Sequence, residues 1–164
     1  MAELNEKLSS VEHGFDIQLA EPKDFRAICE LVSRAYQTPM IPGGFSNRAD
    51  DTEEMLAREI AEGTKIFIVK KDGLIIGTQR YRLENDCCHL TRLAVAPEFR
   101  NQGIGRKLVE KVLIEGKNRG AKTAKLEVLE ERGLVPYYES FGFQTTETKP
   151  HHKHTLVLME KKLV

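Results

Sequence analysis

A hexamer near the middle of the chain, Arg100-Asn101-Gln102-Gly103-Ile104-Gly105, stands between an apolar segment and a long amphipathic one. No other stretch restricts the fold so closely. Leu93-Ala94-Val95-Ala96-Pro97 reads as the end of a strand, and Arg106 to Arg119 as a helix with both glycines at its first turn. Glycine at such a junction lets the backbone approach an anion, and the first N–H groups of a helix have no partner within it. The helix dipole adds about half a positive charge at the same place. The segment is therefore predicted to cradle a diphosphate on the main-chain N–H groups of Gln102 to Arg106.

Spacing separates the kinds of cradle. A P-loop needs four residues between its glycines and then Lys-Ser/Thr, which are absent here. The dinucleotide fingerprint needs a third glycine where this chain has Leu108, and it belongs to an early βαβ unit rather than a late segment. Arg100, Gly103 and Gly105 instead resemble the Arg/Gln-x-x-Gly-x-Gly/Ala coenzyme A pyrophosphate loop of the GNAT N-acetyltransferases, as does the surrounding stretch from Leu93 to Leu108. Tyr138-Glu139-Ser140-Phe141-Gly142-Phe143 resembles that family's late Tyr-x-x-x-Gly-Phe segment. The two motifs occur in the family's order, with a strand between them.

Periodicity along the chain gives mixed α and β. Strands are predicted at Phe15 to Leu19, Lys65 to Lys70, Leu74 to Leu83, Cys87 to Val95 and Thr123 to Leu129, and near Phe143 to Thr148 and Thr155 to Glu160. A helix is predicted from Pro22 to about Gln37. A second is capped by Asp51 and Glu54, with Met55, Leu56 and Ile60 inward and Gly63 past its end. A third follows Gly105 and a short one covers Val135 to Ser140; Lys71-Asp72-Gly73 signals a hairpin. Thr38-Pro39-Met40-Ile41-Pro42-Gly43-Gly44-Phe45 cannot be regular structure. The order β-α-α-β-β-β-α-β-α-β-β is similar to the GNAT layout over residues 15 to 161. That resemblance implies an α/β (α+β) acyl-CoA N-acyltransferase fold, a mixed and mostly antiparallel sheet flanked by helices. It also makes the segment after Gln37 either a wall of the acceptor site or a plain linker.

A chain of 164 residues suits one domain. Residues 14–164 are read as that domain and residues 1–13, polar and without the apolar core of a secretory signal, as a lead-in. Acidic and basic residues balance at 25 each, so no overall field favours nucleic acid or an anionic membrane. No stretch approaches the roughly 18 apolar residues of a membrane span. The odd set Cys29, Cys87 and Cys88 reads as reduced thiols of a cytoplasmic protein. No zinc pattern is present, and none of the three histidines His151, His152 and His154 has standard ligand spacing. They read as an exposed loop or as acceptor contacts.

The resemblance implies acetyl transfer from acetyl-CoA, as co-substrate and without a metal, to a primary amine by direct attack in a ternary complex. The acceptor is a small molecule or a peptide, and dimers are common in the family. Implied cofactor-binding residues are Leu93, Ala94 and Val95 along the pantetheine arm, and Arg100, Asn101, Gln102, Gly103, Ile104, Gly105 and Arg106 around the pyrophosphate. Arg100 would add charge, and strand backbone would supply the oxyanion donor. Tyr138 stands at the family's general-acid position; a phenol near pKa 10 can protonate a departing thiolate. Its neighbour Tyr137 is read as structural. Where the family often has an asparagine the chain has Glu131, followed by Arg132, so either the arm is held differently or Arg132 contacts it. No glutamate lies on the strand Cys87 to Val95, which leaves His89 as the base candidate there. Arg80 and Arg82, on one sheet face, either bind an acidic acceptor or pair with Glu84 and Asp86. A longer acyl donor and a non-catalytic coenzyme A sensor remain as alternatives.

Overall fold

The structure, a computed structural model, describes residues 15–38 and 51–163. The expected lead-in and most of the irregular stretch, from Pro39 to Phe45, lie outside the described residues. The elements in chain order are β1 (Asp16–Leu19), α1 (Phe25–Gln37), α2 (Glu53–Ala61), β2 (Lys65–Lys71), β3 (Leu74–Glu84) and β4 (Cys87–Val95). They continue with α3 (Ile104–Asn118), β5 (Thr123–Leu129), α4 (Val135–Glu139), β6 (Gln144–His151) and β7 (His154–Lys162). This is the order the periodicity predicted. Among the described residues no helix is long and apolar enough to cross a membrane.

The seven strands form one sheet in the order β1-β2-β3-β4-β5-β7-β6. Every neighbouring pair is antiparallel except β4 and β5. The turn between β2 and β3 sets Asp72 and Gly73 at positive φ, the geometry that a two-residue hairpin needs. β2 is apolar on both faces because both are covered. Phe67 and Val69 join the cluster beneath α3, whereas Ile66 and Ile68 join the cluster with Ile28 and Val32 of α1 and Leu56 of α2.

Glycine decides how closely α3 lies on the sheet. A Cβ on Gly77 of β3 would stand 2.9 Å from Ile104 Cγ2, and one on Gly116 of α3 would stand 3.1 Å from Cys88 Sγ. The helix therefore seats at two strand contacts that a larger residue would lift apart.

The second helix departs from expectation. Thr52, not Asp51, caps it: the Thr52 hydroxyl accepts from the Met55 N–H at 3.2 Å. Asp51 is taken by Arg80 instead. Leu56 is buried, but Met55 and Ile60 are each 38% exposed, because this short helix touches the sheet along one line only. Arg80 is 1% exposed and is bound by Asp51 and Glu59, so neither Glu84 nor an acceptor claims it; Arg82 does pair with Glu84, and also with Glu62.

Candidate active site

Strands β4 and β5 pair in parallel over three positions only: Cys87 with Thr123, Cys88 with Ala124, and His89 with Lys125. Beyond His89 the strands part. The cause lies on the other side of β4, where the register with β3 slips by one residue: Thr78 faces Ala94 while Arg80 faces Thr91. The extra residue is a bulge at Arg92, whose φ of 53° is in the left-handed region. Gln79 braces it. Its buried amide donates to the carbonyls of Thr91 at 2.7 Å and Arg80 at 3.2 Å. The bulge bends β4 out of the sheet and leaves its last residues without a β5 partner.

The fork opens a cleft of about 370 Å³, the size of a small-molecule site. Leu93, Ala94 and Val95, the stretch that the resemblance implies for the pantetheine arm, line it. At one end lies the start of α3. Asn101 and Gly103 have φ of 64° and 81°, which turns the chain sharply into the helix, and the first helical bond runs from Lys107 N to Gly103 O at 3.1 Å. The N–H groups of Ile104, Gly105 and Arg106 therefore precede the hydrogen-bonded ladder. Asn101, Gln102 and Gly103 are exposed, Gly105 presents no Cβ, and Arg106 lines the opening. This donor set fits a diphosphate, the group by which acetyl-CoA would be held.

Arg100 lines the cleft beside this loop, and its guanidinium has acceptors within the chain. Its guanidinium donates to the carbonyls of Ala35 at 2.8 Å and Thr38 at 3.2 Å, at the end of α1. It satisfies carbonyls that a helix terminus leaves open, and so ties α1 to the loop before α3. Burial, and then the nearby Arg132, lower its pKa.

Short helix α4 closes the cleft from the side, with Pro136 in its first turn as expected. Tyr138 is 9% exposed and lines the cleft. Burial, followed by the neighbouring Tyr36 and Tyr137, pushes its pKa well above the usual tyrosine range, against a lowering influence from Arg132. Tyr137 also lines the cleft, with its ring edge-on to Phe141 at 5.2 Å. The Arg106 guanidinium lies 4.5 Å above the same Phe141 ring and donates to Ser140 Oγ at 3.1 Å. These contacts bring the two sequence motifs together.

Where the family often has asparagine, Glu131 is turned away. Its carboxylate accepts from Thr155 N at 2.9 Å and faces His154 at 3.8 Å. Arg132 is the residue that enters the cleft. His89 lines a second opening on the far side of the fork, and His151, His152 and His154 line neither. Among the described residues no group of three His, Cys, Asp or Glu side chains could hold a metal ion.

Sequence reasoning passed over Tyr36, Arg92 and Glu127. All three line both openings. The alternation Ala124-in, Lys125-out, Leu126-in, Glu127-out does mark Glu127 as facing away from the core. Nothing local marks it as facing a fork.

A family model described as an acetyltransferase (GNAT) domain matches residues 42–163. The chain is 25% identical over 136 residues to a ribosomal protein bS18-alanine N-acetyltransferase of Haemophilus influenzae, covering 83% of this chain and 86% of that one. It is 23% identical over 140 residues to a glucosamine 6-phosphate N-acetyltransferase of Trypanosoma brucei brucei, covering 80% and 90%. The solved ribosomal-protein-S18-alanine N-acetyltransferase from Escherichia coli superposes with a TM-score of 0.76 at 23% identity, over 91% of this chain and 94% of that one. The PaiA N-acetyltransferase from Thermoplasma acidophilum, solved in complex with coenzyme A, gives a TM-score of 0.78 at 20% identity over 90% and 98%. Together with the forked sheet and the glycine-turned start of α3, the family match over most of the chain leads to one conclusion: this chain belongs to the GNAT N-acetyltransferase family.

Proposed function

We propose that the chain transfers an acetyl group from acetyl-CoA to a primary amine by direct attack, with both substrates bound at once. One observation carries this reading. The fork between β4 and β5 joins two openings, with the anion cradle at the end of one and ionisable side chains lining the other. An acyl donor laid along Leu93 to Val95 would put its thioester near the bulge, where an amine can enter from the far side. The N–H groups of residues 102–106 and the Arg106 side chain would take the diphosphate. A backbone donor of β4, released from pairing by the fork, would stabilise the developing oxyanion; one such donor is worth about 10²–10³ in rate.

In the transfer the amine nitrogen bonds to the carbonyl carbon and the carbon–sulfur bond breaks. The nitrogen loses one proton and the sulfur gains one. Among the residues described in the cleft Glu127 is the one carboxylate. It would hold the incoming ammonium; once that group has given one proton to solvent and the neutral amine has bonded to carbon, the nitrogen is strongly acidic and Glu127 would take the proton it then loses. Tyr138 would serve the sulfur. Because burial keeps its phenol protonated, it acts first as a hydrogen-bond donor to the departing thiolate, and the tyrosinate left by full transfer must be reprotonated at once.

Titration calorimetry with acetyl-CoA, followed by thiol release across an amine panel, tests the reading. Binding with turnover is the expected result. Binding without thiol release on any amine would favour a sensor, and faster release from a longer acyl-CoA would change the donor. No binding by folded protein at high micromolar acetyl-CoA would overturn the proposal.

A further inference from the structure

Tyr36, near the end of α1, carries two cations over its ring. The Arg92 guanidinium carbon lies 5.7 Å from the ring centroid and that of Arg132 lies 4.4 Å away. Arg92 comes from the β4 bulge and Arg132 from the turn after β5, so the two arms of the fork deliver charge to the same ring. A guanidinium stacked on an aromatic face keeps its in-plane N–H groups available to a ligand.

Partners within the chain leave these charges incompletely matched. Arg92 Nε is 3.8 Å from Asp51 Oδ1, but the other oxygen of that carboxylate is already bound by Arg80. Among the described residues no carboxylate pairs with Arg132; the adjacent Glu131 is committed to Thr155 and His154. The cleft is lined by four arginines and one carboxylate. Arg106 stands at the cradle and Arg100 is engaged by the carbonyls of α1. That leaves Arg92 and Arg132 where the cleft meets the second opening, since both line both openings. The second opening also carries Glu59, Glu127, Glu147 and Glu160, so an ammonium finds carboxylates there, whereas the two guanidiniums on Tyr36 would repel it and suit a negative group borne beside it.

We propose that the acceptor is an amine carrying an anionic group, a carboxylate or a phosphate, within a few bonds of its nitrogen. Arg92 and Arg132 hold that anion against Tyr36 while Glu127 faces the amine. Planar, forked donors suit either anion and can grip it through two hydrogen bonds at once. The inference rests on the acetyltransferase reading above and narrows it to a substrate class.

Matched pairs of acceptors test it, with acetyl-CoA binding measured first. One arm compares free amino acids with their amides, and the other compares phosphoethanolamine with ethanolamine. In one arm the anionic member should show kcat/KM at least about tenfold above its neutral partner, and that arm identifies the anion. Arg132→Gln and Arg92→Gln should shrink the difference mainly through KM, and Arg132→Lys should restore part of it. Equal or better use of the neutral members overturns the inference, as does bound acetyl-CoA with no turnover of any anionic amine. A fall in kcat that is the same for charged and neutral acceptors also overturns it, because Arg132 would then act on the departing sulfur. Failure to bind acetyl-CoA would strike the underlying acetyltransferase reading instead. The wild-type comparison stands even if a variant does not fold.

Discussion

The hydroxyl of Tyr137 lies 2.8 Å from the position that a Cβ on Gly105 would occupy. The tyrosine that the sequence marked as structural thus reaches from α4 across to the cradle, in the gap that this glycine leaves. Under the proposed function the second glycine of the loop would have two neighbours to accommodate: the diphosphate on its exposed side and a phenol on the other.

Gly105→Ala should keep the fold and weaken the cofactor. Alanine in a helix is worth about 1 kcal/mol over glycine, which helps α3. The new methyl must displace the Tyr137 ring, the free end of a side chain, towards the cleft. Affinity for acetyl-CoA should fall roughly tenfold, the equivalent of about 1.4 kcal/mol, with the unfolding midpoint unchanged or higher. Calorimetry beside urea unfolding checks both halves; unaltered affinity would show that the tyrosine yields without touching the donor site.

Arg80→Met should damage stability rather than acceptor recognition. Arg80 and the Asp51 carboxylate are each 1% exposed, and removing the cation strands a buried charge. Breaking such a pair costs about 3–5 kcal/mol. A urea titration measures this, and restoring neutrality with Asp51→Asn in the same chain should recover part of the loss. Intact stability with a raised acceptor KM would return Arg80 to the recognition role that the sequence left open.

Tyr138→Phe should lower kcat by about 10²–10⁴ with little change in acetyl-CoA affinity. The raised pKa adds a second expectation, because the proton-bearing form persists to higher pH than in free tyrosine. The kcat profile of the wild type should therefore show no decline from tyrosinate formation below pH 10, a value near the ordinary tyrosine pKa. An alkaline limb below that point that disappears in the phenylalanine variant would contradict the assignment.

Stability should fall in alkali, and Cys88 is one cause. It is fully buried between β4 and α3, and burial, with Cys87 adding to it, pushes its thiol from 9.0 up to about 12. The folded pKa is above the unfolded one, so this contribution is complete below pH 9.0 and is lost as the pH rises towards about 12. In that window each unit of pH should remove roughly 1.4 kcal/mol. Urea midpoints between pH 8 and pH 10 should drop less steeply in Cys88→Ala, at the cost of a small cavity at neutral pH. Parallel slopes in the two proteins would clear Cys88 of the effect.

Much of the fold was legible locally. Gly63 and Gly120 end their helices at positive φ where the sequence put stops, and the turn at Asp72-Gly73 has the hairpin geometry that its residues require. The buried run Ile66 to Val69 gave β2, although its meaning as a strand covered on both faces depended on where α1 and α3 came to rest. The site was half legible. Both motifs contribute residues to the cleft, and Arg100 lines it too, but nothing in the sequence signalled that its guanidinium would donate to the end of α1. A long side chain goes where its surroundings supply acceptors, and those acceptors are some sixty residues earlier in the chain.

Short-range signals in the sequence determined the element order, the glycine-turned entry to α3 and the aromatic helix that follows β5, since backbone sterics and hydrophobic period act over a few residues. Only the tertiary structure decided that β4 bulges at Arg92, that β5 leaves it after three pairs, and that Arg92, Arg132 and Tyr36 meet where the two openings join. Those outcomes depend on one slip in strand register and on the divergence it produces, and a register is a relation between segments that no single segment carries.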